Sequence, residues 1–87
     1  MRLTTEKFEI VSGGSVYQVR ATEYINGIGE LRYRVSYNNS PVSVFGWNDS
    51  LNRFAVMHDD RNPNMHPEIE NAIARKLENI QAMKQAA

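Results

Sequence analysis

Residues 15–47 read SVYQVRATEYINGIGELRYRVSYNNSPVSVFGW, and how this stretch divides decides the fold. β-Branched and aromatic residues fill three runs, 15–25, 30–37 and 42–47, separated by Asn26-Gly27-Ile28-Gly29 and Asn38-Asn39-Ser40-Pro41. Gly and Asn tolerate the positive φ of tight turns, so the two breaks are hairpin connections and the three runs are consecutive antiparallel strands. Working outward, Ser12-Gly13-Gly14-Ser15 links a further run at 7–12 to the first of these, and Asn48-Asp49-Ser50 leads into another at 53–57. Five strands in a meander are therefore expected.

Residues 58–65 hold Asp59, Asp60, Asn62, Pro63 and Asn64 without periodicity and are read as a loop. Beyond it Pro67 suits the first turn of a helix, and Ile69, Ala72, Ile73, Leu77, Ile80 and Met83 recur at three- and four-residue steps, which makes one apolar stripe. A helix over 67–84 is roughly 27 Å long at 1.5 Å per residue, long enough to lie across a sheet of such strands. The expected class is α+β: a five-stranded antiparallel β-meander with one long C-terminal amphipathic helix packed on one face. Residues 1–87 form a single domain, because a chain of this length supports one core.

Each hairpin implies a register. A Gly13-Gly14 turn sets Ile10 against Tyr17 and Phe8 against Val19. A strict two-residue turn at Asn26-Gly27 would set Arg20 against Tyr33 and break the apolar pattern. A three-residue loop over 26–28 instead sets Tyr17 against Tyr37, Val19 against Val35 and Ala21 against Tyr33, and it is the reading adopted. An Asn38-Asn39 turn then pairs Val35 with Val42 and Tyr33 with Val44, and the face so built is the one the helix covers. The fifth strand stays open, since either Ala55 and Met57 or Phe54 and Val56 can face the helix.

Alternation gives the other face. It is expected to carry Lys7, Arg20, Arg34 and Ser43 in one row, Thr22, Arg32 and Phe45 in the next, and Tyr24, Glu30 and Trp47 in a third. Arg20 opposite Arg34 is a like-charge pair that needs compensation, and Phe45 with Trp47 would form an exposed apolar patch of the kind that marks a partner site. Aromatics rimmed by Arg are typical of protein interfaces. The expected function is a small non-catalytic protein-interaction module, self-associating as a homodimer through the helix-free face, with Arg20, Tyr24, Arg32, Arg34, Phe45 and Trp47 as the partner-binding residues. The alternative is single-stranded nucleic-acid binding by Lys7, Arg20, Arg32, Arg34, Phe45 and Trp47, with arginines on phosphates and aromatics under bases.

Other chemistry finds little support. His58, Asp59, Asp60 and His66 gather imidazoles and carboxylates but match no metal-ligand spacing, so no metal or other cofactor is expected. The Gly13-Gly14 turn joins two strands instead of opening a helix, which removes the anion site of a phosphate loop. No nucleophile elbow is present, and the chain is read as a non-enzyme. With no cysteine among 87 residues, disulfides and thiolate chemistry are absent. Ten basic and ten acidic side chains cancel, which does not favour a domain built to coat duplex DNA. The start has no apolar signal core and no long apolar run occurs, so the expectation is a cytoplasmic protein outside the membrane.

Overall fold

The computed structural model describes residues 4–57 and 65–86. It contains β1 (Thr5–Ser12), β2 (Ser15–Ile25), β3 (Leu31–Tyr37), β4 (Ser43–Asn48), β5 (Arg53–Val56) and α1 (Pro67–Ala86). The strands form one antiparallel sheet in the order β1-β2-β3-β4-β5, and the expected α+β meander with a C-terminal helix is what the chain adopts. The sheet curls, so the helix lies against its first and last strands. Of the loop expected at 58–65, all but Met65 lies outside the described residues. Among the described residues no helix is long and apolar enough to cross a membrane.

The core gathers Ile10, Val19, Ala21, Tyr33, Val35, Phe45, Phe54 and Val56 from the sheet, and Ile69, Ile73, Ala74 and Leu77 from the helix. Ile69, Ile73 and Leu77 are thus buried as the stripe requires, whereas Met83, counted in the same stripe, is 74% exposed. Past Leu77 the contact with the sheet passes to polar groups. Gln81 Nε2 donates to Glu23 Oε2 at 3.0 Å and to the Tyr33 hydroxyl, and Lys84 Nζ reaches Glu23 Oε2 at 2.8 Å. At the other end of α1, Ser12 Oγ donates to Glu68 Oε2 at 3.3 Å, and Glu70 Oε2 accepts from the backbone N–H of Val56 at 3.1 Å. The second bond occupies a donor on the outer edge of β5, which would otherwise be open to another strand.

The first hairpin has the expected register, with Ile10 opposite Tyr17 and Phe8 opposite Val19. The second closes one residue later than expected. Asn26 N donates to Glu30 O at 2.9 Å, and Gly29 occupies the last loop position with φ of 83°. A loop over 26–28 would place Ile28 there, and a β-branched residue resists positive φ. Asn26 Oδ1 also accepts from the N–H groups of Ile28 and Glu30. The pairs become Val19 with Tyr37, Ala21 with Val35 and Glu23 with Tyr33. A slip of two positions leaves every side chain on its expected face.

The third hairpin departs further. Asn38 and Asn39 form the turn with φ of 46° and 62°, and Ser40 N donates to Tyr37 O at 2.8 Å. Yet Val35 then pairs with Ser43 and Tyr33 with Phe45, so one residue has been added between Ser40 and Ser43. Pro41 sits in that interval and has no N–H to give a ladder, and an extra residue there is a bulge. A slip of one turns β4 over. Ser43 and Phe45 go into the core, and β5 follows, with Phe45 opposite Val56 and Trp47 opposite Phe54. The open choice for the last strand is settled as Phe54 and Val56 toward the helix.

Candidate binding surfaces

Overturning β4 divides the residues expected on one surface among three places. Arg20, Tyr24, Arg32 and Arg34 do lie on the helix-free face with Lys7. Phe45 does not: it is fully buried in the core. Trp47 is on the helix side, 43% exposed, with its ring edge-on to Phe54 at a centroid distance of 5.4 Å.

On the helix-free face the rows read Lys7, Arg20, Ser36, then Thr5, Thr22, Arg34, Val44, then Tyr24, Arg32, Gly46, Ala55. Arg20 therefore faces Ser36 and not Arg34, and the like-charge pair on this face is Lys7 with Arg20. Arg34 stands opposite Thr22, and its guanidinium carbon lies 4.9 Å from the centre of the Tyr24 ring. Arg32 is spoken for. Its Nη2 meets Glu30 Oε1 at 3.1 Å, its Nη1 donates to Leu31 O at 3.0 Å, and its side chain is 13% exposed. Among the described residues Lys7, Arg20 and Arg34 make no ion pair. An open groove borders Lys7 and Arg20, with Gln18, Ser36, Asn38 and Asn39 on its walls. The carboxylate of Glu9, next along β1, is held by Gln18 Nε2 at 2.9 Å.

The helix side presents a different surface. The row at the end of the sheet holds Ile25, Leu31, Trp47 and Phe54. The last three, with Glu78, Gln81 and Ala82 of the helix, line a cleft of about 310 Å³. Ile25 is 48% exposed, and both turns at this end carry an exposed apolar side chain, Ile28 and Leu51. Sequence reading missed this surface because it placed Trp47 on the opposite face; the signal that would have found it is Pro41.

Between the two surfaces Glu23, Tyr33, Gln81 and Lys84 form the polar joint of helix and sheet. Hydrogen bonding to the Lys84 ammonium holds the Glu23 carboxyl below the usual range and raises Lys84 in turn, while burial pushes the Tyr33 phenol up. His66, considered as a metal ligand with His58, Asp59 and Asp60, is a helix cap: its Nδ1 accepts from Glu68 N at 3.2 Å. The other three lie outside the described residues. No family model matches the sequence, and neither a curated protein nor a solved structure matches the chain.

Proposed function

We propose that the chain is a non-catalytic protein-interaction module that self-associates, and that the surface it uses is the apolar end around Trp47, not the helix-free face. The single observation that carries this reading is the row Ile25, Leu31, Trp47, Phe54, in which the helix leaves Ile25 and Trp47 exposed. Contiguous exposed apolar surface marks interaction sites, and Trp is among the residues that dominate interface energies.

The choice of a second copy rests on charge. A two-fold interface brings one patch against itself, so a patch of a single sign repels its image whereas one of mixed sign can pair with it. The helix-free face offers Lys7, Arg20 and Arg34. The exposed helix strip beside the Trp47 cleft offers Arg75 and Glu78, one turn apart, neither in an ion pair among the described residues. Two copies packed antiparallel along this strip set Arg75 of one against Glu78 of the other while the Trp47 ends close over each other.

Light scattering coupled to size exclusion tests this directly. The parent should run at twice the chain mass at high concentration, and Trp47→Ala should run as a folded monomer. A monomeric parent, or a Trp47→Ala variant that dimerises like the parent, would refute the assignment.

A further inference from the structure

The dimer leaves the helix-free face outward, and that face carries an unsatisfied charge pattern of its own. Lys7 and Arg20 are directly opposite each other, where like charges are destabilising. Both are exposed, and neither has an acidic partner among the described residues. Glu9, the nearest carboxylate of β1 on the same face, is turned to Gln18 instead. Arg34 stands one strand over and two positions along from Arg20, a diagonal step of roughly 7–8 Å. Among the described residues it reaches no carboxylate either, and it lies over Tyr24. The guanidinium and ring thus make an exposed cation–π platform beside a polar groove and two cations that have no acidic partner among the described residues.

From this arrangement we infer that the helix-free face binds single-stranded nucleic acid, with a phosphate seated between Lys7 and Arg20 and a base stacked on the Arg34 guanidinium. Phosphate seating removes the repulsion between the two cations. Bases stack on Arg planes as well as on aromatic rings, and the Arg34 guanidinium already rests over the Tyr24 ring. An acidic protein segment would satisfy the cations but has no use for the platform, which is why the strand is preferred. Duplex is disfavoured because its bases are already stacked on one another. The Asn39 amide in the groove wall supplies a neutral hydrogen-bond donor to sugar or phosphate, a contact that positions a strand without reading its sequence.

The test is fluorescence anisotropy of labelled oligo-dT and oligo-U, with a duplex and a polyglutamate peptide as competitors, over a range of salt. The parent should bind one or both single strands, with log K falling against log salt at a slope of about −0.7 for the one phosphate seated between Lys7 and Arg20. Lys7→Gln and Arg20→Gln should each make that slope shallower, and the double variant should lose about 0.7 of it. Arg34→Lys keeps the charge and loses the plane, so affinity should fall about fivefold or more with the slope unchanged. All three sites are exposed, and an unchanged melt for each variant shows that the fold is intact. Trp47→Ala should bind as a monomer, which separates this inference from the dimer. Absence of binding at low salt would overturn it. So would Arg34→Lys binding like the parent, a slope indifferent to Lys7 and Arg20, or polyglutamate displacing the strand as well as unlabelled oligo-dT does.

Discussion

At Gly46 the backbone of β4 passes directly beneath two side chains: an added Cβ would lie 2.8 Å from Met57 Sδ and 2.9 Å from Arg32 Cδ. Arg32 crosses this gap to reach Glu30, so the absent side chain at 46 is what lets it lie flat. Both obstacles are flexible, and Gly46→Ala should cost about 1 kcal/mol in urea denaturation, with the Arg32 guanidinium shifted away from Glu30 in NMR spectra. Gly29 is constrained differently. Nothing surrounds a Cβ there, but φ is 83°, so Gly29→Ala should also destabilise by about 1 kcal/mol, from backbone strain alone. At this scale much was legible and some was misread. Gly29 and Pro41 both announce their roles, one by permitting positive φ at the end of a loop and the other by lacking an N–H. Weighting only the apolar match across strands, and not these two signals, set the second hairpin two positions off and sent Phe45 and Trp47 to the wrong face. Arg20, Tyr24, Arg32 and Arg34 precede the bulge, and their face was read correctly.

Among the elements, α1 shows how far periodicity carries and where it stops. Ile69, Ile73 and Leu77 are buried at the expected spacing, and Leu77 is fully enclosed, so Leu77→Ala should cost about 2–5 kcal/mol, read from the shift of the denaturation midpoint. Met83 continues the period but not the burial, because the curled sheet gives the last turns of the helix Glu23 and Tyr33 to meet in place of an apolar groove. That polar joint makes a pH dependence. The Glu23 carboxyl is lowered in the folded chain, so its stabilising contribution is complete above the ordinary carboxylate value of about 4.3 and is lost as pH falls through the lower folded value. Lys84 and Tyr33 are raised; their contributions are complete below their ordinary values, about 10.4 and 10, and are lost as pH rises through the higher folded ones. Glu23→Gln should therefore flatten the acid limb of a plot of melting temperature against pH. It should also speed hydrogen exchange in the last helical turns, while amides around Ile73 stay protected. An acid limb of unchanged steepness would show that Glu23 does not hold the helix end.

For the whole molecule, the two surfaces lie on opposite sides of one thin sheet, and their charges differ in kind. An 87-residue chain buries a modest share of its surface, so closing the Trp47 end against a second copy would add apolar burial that the monomer lacks. The formal net charge of zero and a pI near 6.7 put up no long-range repulsion against association near neutral pH. If association stabilises the folded chain, mass action requires the melting temperature to rise with protein concentration, and Trp47→Ala should abolish that rise. Truncation of Trp47 also removes its contact with Phe54, so a test that leaves the core alone is stronger. Arg75 and Glu78 are exposed helix positions, and in the antiparallel arrangement the Arg75–Glu78 pair forms twice, once on each side of the two-fold axis. Glu78→Arg should therefore place two like-charged pairs in the interface and weaken the dimer severalfold, more at low salt than at high, because exposed charges are screened. Adding Arg75→Glu to it exchanges the signs and should restore the parent affinity. Independent surface effects would add and leave the double variant as weak as the single one or weaker. Only residues that face each other across the axis give recovery, so sedimentation of the parent, the single and the double variant decides both whether the chain pairs and which strip of the helix it pairs along.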